Sequence, residues 1–144
     1  AISLSQYRPA STKAGRRYAR LRKGDHVVFA KLITEEESIF VATRQSRIVH
    51  FGLSDVPVLG NPGIGVKGIK LEKNDEVLGA AMMARPSDSL KILNSNDTVI
   101  TIGQQKYNIT SRGGKGIKTS QRNTFVEIQR PEIDLIDWNE MEEE

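Results

Sequence analysis

Cysteine is missing from this 144-residue chain. That excludes disulfides and thiolate-bound metals, and it fits a reducing cytosol. No apolar run is long enough to span a bilayer as a helix, and no secretory signal precedes the first patterned segment. Apolar residues nowhere keep helical spacing through three turns, so α-helix is not expected. Histidine occurs only at His26 and His50, at unrelated places in apolar runs, and each reads as a packing or surface residue. No Ser/His/Asp arrangement can be built around them. The paired carboxylates near the C-terminus lack an apolar setting that would split their pKa values. No catalytic centre, metal site or cofactor is therefore expected in this segment.

Basic residues are absent from Glu132 to Glu144, where seven acids stand: Glu132, Asp134, Asp137, Glu140, Glu142, Glu143 and Glu144. The whole chain has 21 Lys+Arg against 18 Asp+Glu, a net charge of +3. Without the tail the acids fall to 18 − 7 = 11, and the body carries 21 − 11 = +10. Such a body favours a polyanion as partner. The tail beyond Trp138 has the composition of a mobile acidic arm, and it reads either as a solubilising end with no role or as an arm that folds back and competes with a polyanion for the same cations.

The chain repeats itself. Gly15-Arg16-Arg17-Tyr18-Ala19-Arg20-Leu21, followed by Asp25, returns as Gly65-Val66-Lys67-Gly68-Ile69-Lys70-Leu71, followed by Asp75. A third copy opens at Gly113-Gly114-Lys115-Gly116-Ile117-Lys118. The centres hold the same register: Ile39–Thr43 lies over Leu90–Asn94, and Arg47–Gly52 over Thr98–Gly103. Leu4-Ser5-Gln6-Tyr7 likewise lies over Leu53-Ser54-Asp55-Val56. The reading is one domain with units at 15–64, 65–112 and 113–131, a partial unit at 1–14, and an acidic tail at 132–144. The chain starts in mid-pattern, which suggests a piece of a longer protein. A period of this length belongs to propeller-like units, each too small to bury its apolar face alone.

The apolar pattern within a unit is that of strands. His26–Ile33, Glu76–Met83, Ser38–Thr43, Arg47–Phe51 and Thr124–Ile128 are of strand length, and Asn94-Ser95-Asn96-Asp97 supplies a polar turn. Two motif matches are set aside. Gly63-Ile64-Gly65-Val66-Lys67-Gly68 fits G-x-G-x-x-G, yet no helix follows to hold a pyrophosphate. Gly113-Gly114 lacks the apolar lead and the recurring aromatics of kelch blades. Asp25 and Asp75 read as side chains capping their own turns.

At this point the residues carry a resemblance. Arg112-Gly113-Gly114-Lys115-Gly116-Ile117, with Lys118-Thr119-Ser120-Gln121-Arg122-Asn123 after it, and Gly65–Leu71 followed by Asp75-Glu76-Val77, resemble the blades of the C-terminal domain of DNA gyrase and topoisomerase IV A subunits. The likeness runs from Ser3 to Ile128. It implies an all-β, propeller-like β-pinwheel, here of about three blades, that binds and bends double-stranded DNA around a basic rim without base readout. It implies as partners the rest of an A subunit together with the ATPase B subunit of an ATP-dependent type IIA topoisomerase, in the bacterial cytoplasm at the nucleoid. That family's catalytic tyrosine and metal site lie in other domains, so Tyr7, Tyr18 and Tyr107 inherit no such role. Gyrases carry a QRRGGKG box in the first blade; Thr110–Gly116 keeps RGGKG, without the Gln and first Arg, and in the last unit. That departure tilts the resemblance toward topoisomerase IV.

The expected DNA contacts are Arg16, Arg17, Arg20, Lys67, Lys70, Arg112, Lys115, Lys118 and Arg122, with Gly65, Gly68, Gly113, Gly114 and Gly116 as turn residues that let backbone approach phosphate. The competing reading is a β-repeat module that docks a protein through the same rim, without nucleic acid. Open blade edges need cover. That cover is expected either from Ile2–Tyr7 completing the blade begun at Gly113, or from two copies meeting edge to edge.

Overall fold

The computed structural model describes residues 1–7 and 15–130. Among these residues seven strands form where the sequence alternates or clusters apolar residues: β1 Ser38–Thr43, β2 Arg47–Gly52, β3 Val77–Met83, β4 Ser89–Asn94, β5 Val99–Gly103, β6 Ile117–Lys118 and β7 Phe125–Gln129. Two 3₁₀ turns, Leu4–Tyr7 and Leu53–Asp55, occupy matching places in the repeat. The acidic tail lies outside the described residues.

The first two units each centre on a hairpin, β1–β2 and β4–β5. The turns match in detail. Ser46 N–H donates to Thr43 O at 3.2 Å and Asp97 N–H to Asn94 O at 3.1 Å, with Ser46 and Asp97 left-handed at φ 62 and 60. Asp tolerates that region through its short polar side chain. Ser46 is buried, and its hydroxyl donates to Asn123 O, tying the hairpin to the third copy.

The strands do not stay with their own units. One sheet runs β3-β1-β2-β6 and the other β5-β4-β7, all antiparallel. Thus β3, from the second copy, pairs with β1 of the first, and β7, from the third copy, pairs with β4 of the second. Both loans carry an irregularity at the same place, Ala42/Thr43 and Leu93/Asn94. About three sequence units thereby assemble into two sheets, because strands of the third copy complete the first two. The third member of the series, His26–Ile33, is expected as a strand and is not one. Its equivalents each pair with the hairpin before them, and among the described residues no hairpin precedes it. A strand without a partner leaves its backbone groups to water and gains nothing over an extended coil.

Period-two alternation puts Ser38, Phe40, Ala42, Ile48 and His50 on one face of the first sheet and Ile39, Val41, Val49 and Phe51 on the other. The first face meets the second sheet in a core of Phe40, Ala42, Ile48, Met83, Leu90, Ile92, Ile102 and Phe125, drawn from all three copies. The second face is covered by Ile69, with Val56 and Val77 beside it. His50 stacks on Phe40, centroids 4.0 Å apart, and its ring nitrogens meet Tyr107 O and Ser38 Oγ, each at 2.7 Å. The outer face of the second sheet carries Lys91, Thr101, Glu127 and Gln129 together with Leu93 and the exposed Val99. At the N-terminus Ile2 bridges Leu59 in parallel, and Leu59 N–H donates to Ala1 O at 2.8 Å. This end is therefore held to the segment between the two hairpins and not to the unit begun at Gly113, which corrects the first of the two expected ways of covering the open edge.

Candidate nucleic-acid interface

The Gly/basic phrases are brought side by side by direct backbone bonds. Gly113 N–H donates to Gly68 O at 2.7 Å, and Lys70 N–H to Gly114 O at 2.8 Å. The first copy reaches the approach to the second, Arg20 N–H donating to Gly63 O at 2.9 Å. The first glycine of each copy is left-handed (Gly15 φ 69, Gly65 φ 89, Gly113 φ 85), which is why the phrase opens on Gly three times. Gly68 sits on the Phe51 ring, which lies 3.7 Å from where a Cβ would stand. The third phrase continues into β6 along β2, and Gly116 lies so close that a Cβ there would stand 2.3 Å from Ile48 O.

Of the nine expected contact residues, Arg16, Arg17, Arg20, Lys67, Lys70, Lys115, Lys118 and Arg122 present exposed side chains, and Arg112 is half-buried. Arg112 is a clamp: Nη1 donates to Lys67 O at 2.8 Å, Nε to Asp55 O at 3.1 Å, and its N–H to Asp55 Oδ2 at 2.9 Å. It joins the 3₁₀ turn of one unit to the phrases of the next two. Lys67 and Lys70 stand in the second phrase and Lys115 and Lys118 in the third, all four exposed. Arg122 lies past β6, in a turn where its N–H and that of Asn123 donate to Ser120 Oγ at 3.3 and 2.9 Å. That turn is fastened to the first hairpin by Thr119 N–H donating to Ser46 O at 2.8 Å.

Sequence reasoning missed Arg47. It begins β2, stands directly across from Lys118 of β6, and its Nη1 donates to Gly116 O at 3.4 Å. Like charges facing each other across a ladder repel. Glu72 relieves this, its Oε1 lying 3.6 Å from Arg47 Nη2 and 3.4 Å from Lys115 Nζ. The available signal was register: Arg47 opens the segment that the repeat had already matched to Thr98.

Asp75 does more than the sequence suggests. Its Oδ1 accepts locally from Glu76 N–H at 2.9 Å, at the end of its own turn, and also from Gln45 N–H at 3.0 Å, so it fastens the loaned strand to the preceding hairpin. The turn itself closes through backbone, Asp75 N–H to Glu72 O at 3.2 Å, as does Asp25 N–H to Arg22 O at 3.1 Å. Through 63–68 the chain turns and runs on without a helix, consistent with setting the dinucleotide motif aside.

These features coincide with a known family. The sequence profile of the DNA gyrase C-terminal domain, beta-propeller, matches residues 2–34, 37–82 and 92–124, well over half the chain. The chain belongs to this family. The gyrase A protein of Lawsonia intracellularis (strain PHE/MN1-00) is 30% identical over 141 residues, covering 92% of this chain and 17% of that protein. The gyrase A protein of Staphylococcus aureus (strain MRSA252) is 32% identical over 100 residues, 69% of this chain and 11% of that protein. The chain thus spans less than a fifth of these gyrase relatives. Among solved structures, the C-terminal domain of DNA topoisomerase IV superposes with TM-score 0.75 at 19% identity, covering 89% of this chain and 41% of that one. The DNA gyrase A C-terminal domain gives 0.70 at 20% identity, covering 91% and 44%. The gyrase-type C-terminal fold is therefore shared.

Proposed function

We propose that this gyrase-type domain binds and bends duplex DNA along the paired phrases and catalyses nothing itself. The observation that supports the reading is the backbone pairing of copies two and three, which brings together the two phrases that carry the exposed Lys67, Lys70, Lys115 and Lys118. In this reading the exposed Arg16, Arg17, Arg20 and Arg122 add to the contacts, and Arg112 ties the second phrase to the 3₁₀ turn before it. Such cations meet phosphates and carry no base code, so binding is nearly independent of sequence apart from bendability. Bending 20–30 base pairs smoothly costs about 1–6 kcal/mol, so several contacts must form together. The partners in this reading are double-stranded DNA, the rest of an A subunit, plus an ATPase B subunit, in a bacterial cytoplasm. The RGGKG run at Arg112–Gly116, without its leading Gln and first Arg and placed in the last copy, favours a topoisomerase IV-like parent over a supercoiling gyrase.

Salt titration tests the reading. With six to eight phosphate contacts, log K for a 30-base-pair duplex against log salt slopes at about −5 to −7. Lys115→Ala with Lys118→Ala flattens the slope by about 1.8 and leaves the thermal midpoint nearly unchanged. Arg112 is kept, because its removal would loosen the phrases themselves. A slope near zero for the unmutated chain sinks the DNA reading and leaves the rim as a protein-docking surface, whose affinity is far less sensitive to salt.

A further inference from the structure

An acid sits beside the basic phrases, at the seam between two units. Glu72 Oε1 is 3.4 Å from Lys115 Nζ of the third copy and 3.6 Å from Arg47 Nη2 of the first hairpin, with Lys118 directly across the ladder from Arg47. One anionic oxygen held between cations of different units is the arrangement that a backbone phosphate oxygen would adopt there.

The fold does not require this acid. The same position is Arg22 in the first copy and Ser120 in the third. What Glu72 gives the turn is its backbone carbonyl, which accepts Asp75 N–H, and Arg22 gives the same to Asp25. The pair with Lys115 does little to hold the units together: its side chains are 43% and 61% exposed, and a pair so open to water contributes little and is easily exchanged. Arg47 is less exposed, at 22%, and its contact with Glu72 is the longer of the two.

Resting on the DNA-binding reading above, we propose that Glu72 is a built-in phosphate mimic. It competes with duplex DNA for Arg47 and Lys115, so that these two cations reach phosphate only once its carboxylate has been displaced. Arg47, half-buried and already aimed by its bond to Gly116 O, thereby joins the DNA-contacting set, and Glu72 sets how tightly this seam holds DNA.

The test uses the full chain and a fluorescent 30-base-pair duplex, with affinity followed across salt. Glu72→Gln should tighten binding by about threefold to tenfold near 50 mM salt, and much less near 300 mM. Its log–log slope should steepen by about 0.9–1.8, one or two contacts' worth. Glu72→Ser, the residue of the third copy, should do the same. Glu127→Gln removes the same charge from the outer face of the second sheet and should leave affinity unchanged. In a Lys115→Ala background the gain from Glu72→Gln should fall by at least about half, since the two positions are coupled. If the unmutated chain responds steeply to salt but both Glu72 variants match it, the mimic is overturned and the DNA reading stands. If Glu127→Gln gives an equal gain, the effect is net charge and the mimic is again overturned. A flat response of the unmutated chain overturns both readings together.

Discussion

Gly116 shows how a single missing Cβ positions the third phrase. Its φ of 70 and the 2.3 Å separation of an added Cβ from Ile48 O mean that any side chain must push β6 off β2. Gly116→Ala should destabilise the chain by at least about 2 kcal/mol in urea unfolding, combining left-handed strain with a displaced strand. Gly114→Ala, with nothing within 4 Å, should stay within about 0.5 kcal/mol. Equal costs at the two glycines would show that the close approach is unimportant. Glu36 is the other residue with a distinct signature. The hydrogen bond from Lys31 Nζ at 2.7 Å, reinforced by Thr34 N–H at 2.8 Å, holds its carboxyl at about 2, down from 4.5. Asp88 is lowered as well, by the N–H groups of Arg85 and Ala84. A depressed carboxyl gives stability that is complete above its unfolded value and is lost as pH falls through its folded one. The Glu36 contribution should therefore fade between about pH 4.5 and 2. Glu36→Gln should lower the thermal midpoint at pH 7 and shrink the loss seen on acidification to pH 3. An identical acid response in the variant would assign the sensitivity to other groups.

At the scale of elements, the loaned strands make the units interdependent. Phe125 belongs to the third copy, yet it is 2% exposed in a core whose other members come from the first two. Phe125→Ala should cost about 3–5 kcal/mol, the usual loss for a buried aromatic. Because β7 completes a sheet begun by β4, that loss should appear as one earlier unfolding transition, coincident by far-ultraviolet circular dichroism and tyrosine fluorescence. Two separated transitions would mean that the sheets fold independently, contrary to their shared core. The same interdependence accounts for His26–Ile33, whose composition matches β3 and β7 and whose outcome does not. Asp75 supports it too, since its carboxylate serves a hairpin 30 residues earlier in the chain.

For the molecule as a whole, charge is distributed on two levels. The body carries the paired phrases, and seven acids gather at the C-terminus, outside the described residues. From composition alone, deletion of residues 139–144 should tighten duplex binding several-fold in about 50 mM salt and much less in about 300 mM, because screening weakens the competition. Unchanged affinity at low salt would make the arm merely an end. The sequence by itself determined the strands of both hairpins, the polar turns between them, the matching of Leu4–Tyr7 with Leu53–Val56 and the recurrence of the Gly/basic phrase. Each of these rests on local chemistry: side-chain alternation, turn residues, and glycine where φ is positive. Only the tertiary structure decided which edges met. It made β3 and β7 strands of neighbouring units and left His26–Ile33 without a partner. It turned Arg112 from a surface contact into a clamp, and it brought Arg47 and Glu72 to one seam. Backbone edges carry the same donors and acceptors in every unit, so the choice among them is made by which hairpin lies alongside, and no local pattern contains that information.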